Sequence, residues 1–311
     1  MEKDGLVLEG GGMRGLYTIG VLDCLYDEEI LFQNTIGVSA GACNATSYLS
    51  GQRGRNLEIN TRFIHDKRYI SYSGLVTRGS IFGMDFIFDE IPKRLLPYDY
   101  EAFYASGCHL TVVATDCKTG TARYLCTDGA SPDEINLMVR ASSSLPMLSP
   151  TVTIDGHHLV DGGTADSIPL RYFESQGFTK NVVILTQNAG YRKAPNTMWW
   201  ACRIRYPQYP KLAQAMRDRH LHYNDTLDYV ARQEKAGNAF VLRPSEPITV
   251  SRTEKDYDKL YALYQNGYED MKRAIPALRE FLSGLDGVRY THVISKQNTV
   301  PAGGQHETAR N

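Results

Sequence analysis

The chain has 311 residues, 42% hydrophobic and 22% charged, with 34 Lys and Arg against 35 Asp and Glu for a formal net charge of −1. The length allows one large domain or two modest ones that bury a core without disulfides, and the balanced charge excludes a dedicated nucleic-acid binder and a disordered chain. No run reaches the ~18 apolar residues of a membrane span, the start MEKDGLVLEGG lacks the profile of a secretory signal, and six cysteines without a CxxC pair fit free thiols in a reducing cytoplasm.

Residues 5–9 (GLVLE) predict a buried strand running into glycines. Leu16, Ile19, Leu22 and Leu25 then recur every third residue and predict a helix. The pattern repeats with a strand at 34–38, a sharp turn and a small-residue helix from 40 to about 48; two such units imply a parallel sheet covered by helices. Further strands are expected at 109–115, 122–125, 158–160 and 181–186, the last a continuous apolar run. Beyond Gln187, Pro195, Pro207 and Pro210 mark an irregular region before two long helices at 211–236 and 255–282. Tyr257, Tyr261, Tyr264 and Tyr268 share one face of the second helix, expected to pack on the domain, with a lipid- or partner-facing stripe as the alternative. The expected organisation is a catalytic core at 1–190, a helical extension packed on it at 191–290 and a frayed tail at 291–311.

Three motifs carry chemistry. Gly10-Gly11-Gly12-Met13-Arg14-Gly15 follows the first strand and satisfies GxGxxG, a dinucleotide-binding signature. That reading needs an acid at the end of the second strand, which here ends in Ser39. Gly37-Val38-Ser39-Ala40-Gly41 is GxSxG, a turn that projects a serine hydroxyl at a helix N-terminus, where the local field favours an oxyanion. Asp161-Gly162-Gly163 follows the strand at 158–160 and would present a carboxylate into a cleft, although Asp-Gly is also a common turn.

GGGMRG, GVSAG, RASSSLPMLSP at 140–150 and DGG, in that order, resemble the patatin-like phospholipases, their bacterial members in particular. The resemblance spans roughly residues 5–190. It implies a three-layer α/β/α sandwich with a mostly parallel sheet and neither metal nor organic cofactor. It also makes Ser39 the nucleophile and Asp161 the general base of a Ser-Asp dyad acting on lipid esters. The oxyanion hole is then expected in the loop Gly10, Gly11, Gly12, Met13 and Arg14, centred on the amides of Gly11 and Gly12, while Gly37, Gly41, Gly162 and Gly163 shape the turns. Two alternatives stay open: a catalytically silent lipid-binding relative and a nucleotide-binding protein using the GGGMRG loop. His157 and His158 are read as flanking a hairpin turn rather than as members of a triad.

Between residues 191 and 220 seven basic residues face one acid, a local charge of +6 beside Trp199 and Trp200. Either these aromatics cover a sheet edge above solvated cations, or Trp199, Trp200, Arg203 and Arg205 form an interfacial patch against the inner membrane surface.

Overall fold

In a computed structural model, which describes residues 3–283 and the backbone of 288–290, two strand-helix units open the fold. The tail expected at 291–311 lies outside the described residues. β1 (Lys3–Leu8) leads through a 3-10 turn at Gly12–Arg14 into α1 (Gly15–Asp27); after a short β2 (Ile30–Phe32), β3 (Asn34–Val38) runs directly into α2 (Ala40–Leu49). β1 and β3 pair in parallel, Leu8 beside Gly37, as strands joined by a helical crossover do. Next come α3 (Arg55–Arg62), α4 (Gly74–Thr77), a π-helical stretch at Phe86–Leu95 and α5 (Tyr100–Ala105). Pro92 sits inside the π-helical stretch, where a regular α-helix would lose a hydrogen bond and clash with the ring.

β4 (His109–Asp116) pairs in parallel with β3 and antiparallel with β5 (Ala122–Cys126). α6 (Pro132–Ser142) starts on a Ser131/Glu134 capping box. β6 (Val152–Ile154) and β7 (His157–Asp161) form a hairpin around Asp155 and Gly156, both at positive φ, and β7 joins β4 antiparallel. α7 (Leu170–Ser175) then feeds β8 (Phe178–Ile184), which pairs in parallel with β1 on the side away from β3.

Beyond residue 190 lie α8 (Trp199–Arg205), α9 (Pro210–Lys235), β9 (Ala239–Leu242) and α10 (Tyr257–Phe281). The region expected to be irregular therefore contains one short helix between its prolines. β9 pairs in parallel with β8, giving the order β6-β7-β4-β3-β1-β8-β9 with β5 also on β4, while β10 (Val288–Tyr290) pairs with β2 in a separate ribbon. The sheet is mixed: parallel from β4 to β9, antiparallel at β5, β6 and β7.

Alternation along the central strands fills two cores, giving the three-layer α/β/α arrangement. Leu6 and Leu8 join Val182, Ile184 and residues of α1, α2 and α10, whereas Val7 joins Ile36, Val183 and residues of α7 and α9. α10 crosses α1 at backbone contact: a Cβ on Gly20 would lie 2.0 Å from the Tyr264 carbonyl, and one on Gly267 2.0 Å from that of Tyr17. Hydrogen bonds from Tyr264 to Asp23 (3.0 Å), Tyr268 to Asp27 (2.9 Å) and Tyr17 to Asp270 (3.1 Å) fix the crossing. The tyrosine stripe thus divides, with Tyr264 buried and Tyr257 and Tyr261 47% and 37% exposed.

Candidate active site

Ser39 caps α2 with φ +53° and ψ −120°, a conformation that costs a non-glycine residue about 1–3 kcal/mol and persists only where its surroundings impose it. The constraints are visible. A Cβ on Gly41 would lie 2.5 Å from the Leu8 carbonyl, and one on Gly37 2.7 Å from the Ala42 amide, so both glycines let the turn close against β1 and α2. The Ser39 amide donates to Ser142 Oγ at 2.8 Å.

Asp161, at the end of β7, is buried. Its Oδ1 accepts the Gly163 amide at 2.8 Å, and Oδ2 has no hydrogen-bond partner of regular geometry among the described residues. Burial pushes the carboxyl above the usual aspartate range; the Ser39 hydroxyl, Arg219, the Gly163 amide and Arg252 pull it back. Gly10 passes so close to Ser39 that a Cβ would sit 2.9 Å from the Val38 carbonyl. The amides of Gly10, Gly11 and Gly12 donate to no acceptor among the described residues. The Met13 amide, expected in the oxyanion loop, is instead committed to the Arg252 carbonyl at 3.1 Å.

Two cavities meet at Ser39, sharing it with Gly12 and Leu145. One, about 1080 Å³ with its open mouth, is mostly apolar, lined among others by Met13, Leu16, Ile19, Phe82, Met84 and Val139. The other, about 400 Å³, holds Asp161, the glycine loop, Glu9, Tyr223 and the cations Arg14, Lys193, Arg219 and Arg252. No histidine lines either cavity; His157 is held by Asp116 at 2.7 Å at the far end of the β4–β7 ladder. Among the described residues no three His, Cys, Asp or Glu side chains gather as a metal site would require.

The basic segment does not form one surface. Lys193 and Arg219 turn into the polar cavity, Arg219 donating to the Gly163 carbonyl and Lys193 Nζ lying 4.1 Å from the centre of the Tyr223 ring. Arg192 pairs with Asp228 and Arg217 with Asp218. On α8, Met198 at its N-cap, Trp200 and Ile204 remain exposed, while Trp199 lies half-buried under Arg217. Burial, then Arg219 and Arg252, push Lys193 down to about 7. Sequence reasoning missed Glu9, Ser142, Tyr223 and Arg252 at this site.

A model of the patatin-like phospholipases matches residues 6–174, and one of a domain of unknown function (DUF6363) matches residues 209–283. YjjU of Escherichia coli (strain K12), an uncharacterized protein, is 25% identical over 252 residues, 78% of this chain and 69% of its own. Lysophospholipase nte1 of Emericella nidulans is 24% identical over 290 residues, 88% of this chain but only 18% of its own length. Lysophospholipase NTE1 of Yarrowia lipolytica is 24% identical over 323 residues, covering 95% of this chain and 21% of its own. This chain therefore spans about a fifth of those lysophospholipases. The solved structure of VipD from Legionella pneumophila superposes with a TM-score of 0.45 at 12% identity, over 89% of this chain and 67% of that one.

Proposed function

The chain belongs to the patatin-like phospholipase family, and from that premise we propose that it is a serine hydrolase cleaving carboxylic esters of lipids through a Ser39-Asp161 dyad. The observation that carries this reading is the meeting, in one cavity, of a serine on a strained turn, a buried carboxylate with one unpartnered oxygen and a loop of uncommitted amides. Ser39 Oγ attacks the ester carbonyl carbon and its proton passes to Asp161 Oδ2. The tetrahedral oxyanion faces the amides of Gly11 and Gly12, with Gly10 beside them; each good donor is worth roughly 3 kcal/mol of barrier. Collapse releases the alcohol, which takes the proton from Asp161, and water then repeats the sequence on the acyl-enzyme. The apolar cavity receives the acyl chain, and the lysophospholipase names of the relatives support a lipid ester as the substrate.

The same reading puts the protein in the cytoplasm, meeting lipid at the inner membrane surface through α8. No described helix is long and apolar enough to cross a membrane, so contact would be peripheral, through Met198, Trp200 and Ile204 with Arg203 and Arg205 beside them. The deciding experiment is labelling with a fluorophosphonate probe. Covalent modification of the native protein and none of Ser39→Ala is expected; a folded native protein that never labels overturns the reading in favour of a silent relative.

A further inference from the structure

The two cavities divide the surroundings of Ser39 by chemistry. An ester placed at Ser39 with its acyl chain in the apolar cavity directs its alcohol portion into the polar one. Four cationic side chains line that cavity: Arg14 from the turn after β1, Lys193 from the loop after β8, Arg219 from α9 and Arg252 from the segment before α10. None of them forms an ion pair among the described residues, and Arg14 Nε is buried without a partner.

Two carboxylates oppose them. Glu9 is buried with both oxygens engaged, one by the Tyr223 hydroxyl at 2.5 Å and the other by the Thr186 amide at 2.6 Å. Asp161 spends one oxygen on Gly163, and the Ser39 hydroxyl is among the groups that hold its carboxyl down. With Lys193 pushed down to about 7, between one and two positive charges remain at neutral pH without a counter-charge in a partly enclosed cavity, where uncompensated charge is costly, and a bound anion would draw the lysine back to its charged form. A single cation would suffice to hold Asp161 ionised; four call for an anion. A quaternary ammonium headgroup has no seat here, because the Glu9 carboxylate is locked and the Tyr223 ring is taken by Lys193.

We propose that this cavity binds a phosphate carried by the substrate's alcohol portion, and that the enzyme prefers esters whose alcohol ends in a phosphate monoester over neutral acylglycerols and choline-capped lipids. The preference rests on Ser39 acting as the nucleophile; the anion site itself does not. Arginine forks and a lysine on phosphate oxygens make charge-assisted hydrogen bonds, the strong kind, and they hold the ester carbonyl at Ser39 while the acyl chain occupies the other cavity.

Three measurements test this. Calorimetric titration of inorganic phosphate into folded Ser39→Ala protein is expected to show binding, weakened about tenfold by a further Lys193→Met or Arg252→Met exchange. In the native enzyme, kcat/KM for a 1-acylglycerol 3-phosphate is expected to exceed that for the matching 1-acylglycerol and 1-acylglycerophosphocholine at least tenfold. Either methionine variant should lower that ratio, the two variants guarding against misfolding of one. Finally, p-nitrophenyl butyrate reports the hydrolase reading alone. If it is cleaved while the lipids are treated equally and phosphate does not bind, the proposal is overturned. Phosphate binding without lipid preference overturns the headgroup assignment and makes the cavity a site for free phosphate. Phosphate binding with no hydrolysis of any ester overturns the hydrolase reading and leaves the anion site standing.

Discussion

The Ser39 amide donates to Ser142 Oγ, and Ser142 in turn donates to the Val113 carbonyl at 2.5 Å. One buried hydroxyl at the end of α6 thus ties the turn after β3 to β4. It gives a physical role to the RASSSLPMLSP segment, which in sequence carried only a resemblance.

Ser142→Ala leaves the Ser39 amide without its acceptor, at a cost of about 1–3 kcal/mol. Because that amide helps hold the strained turn, kcat is expected to fall by about tenfold while KM changes little. Steady-state kinetics on a soluble ester together with thermal unfolding check this; unchanged kcat with a lowered Tm would make Ser142 purely structural.

In its proposed role Asp161 would act as a base only when ionised, and its burial raises its pKa above the ordinary aspartate range. The kcat/KM profile should therefore rise with pH along an acid limb displaced upward from that of an ordinary aspartate. Asp161→Asn should abolish turnover, whereas His157→Ala and His158→Ala retain it. An acid limb that follows a histidine, lost with one of those variants, would replace the dyad by a triad.

Stability carries its own pH signature at the α1–α10 crossing. Burial pushes Asp23 up to about 6 against an unfolded value near 3.9, despite opposing contacts with the Gly54 amide, Arg53 and Tyr264. The native state binds more protons between those values, so this group's contribution is fully present below about pH 4 and is lost as pH rises through about 6. Its loss is on the order of 3 kcal/mol. Asp23→Asn can still accept the Gly54 amide and can donate to the Tyr264 oxygen. It should flatten the dependence of Tm on pH between 4 and 7; an unaltered slope would point to another group.

Gly267→Ala forces a methyl to within 2.0 Å of the Tyr17 carbonyl. The backbones of α1 and α10 must separate, with an expected loss of about 1–3 kcal/mol, an overpacking penalty that outweighs alanine's better helix propensity. Chemical denaturation measures it directly, and a neutral or stabilised variant would show that the crossing adjusts freely.

Replacing Trp200 and Ile204 together by serine should reduce co-sedimentation with anionic liposomes while leaving hydrolysis of a short soluble ester intact. Equal binding by the native protein and the variant would remove α8 as the membrane contact.

The strands and turns that present Ser39 and Asp161 were legible because each motif joins a short apolar run to glycines that the structure uses at backbone contact. Four-residue β9 was not, since AFVL between two long helices has no pattern long enough to separate strand from helix. The polar cavity was missed for a different reason. Charge summed along the chain places Arg217 and Arg219 together, but two residues on a helix point to nearly opposite sides. Leu212, Met216, Tyr223, Leu227 and Val230 form the inward stripe of α9, and Arg219 falls on it at the spacing of an apolar residue. A cation in that register is the signal that would have marked it as a site residue.

The Met13 amide closes on the Arg252 carbonyl, and the polar cavity draws Lys193, Arg219 and Arg252 from beyond the segment that holds Ser39 and Asp161. During synthesis the serine, the carboxylate and the glycine loop emerge long before the groups that anchor the loop and surround it with charge. On the proposed reading, a nascent chain halted after β8 would carry the serine, the carboxylate and the glycine loop without the wall that anchors and charges them, so the dyad would be complete in sequence before its cavity is complete in space.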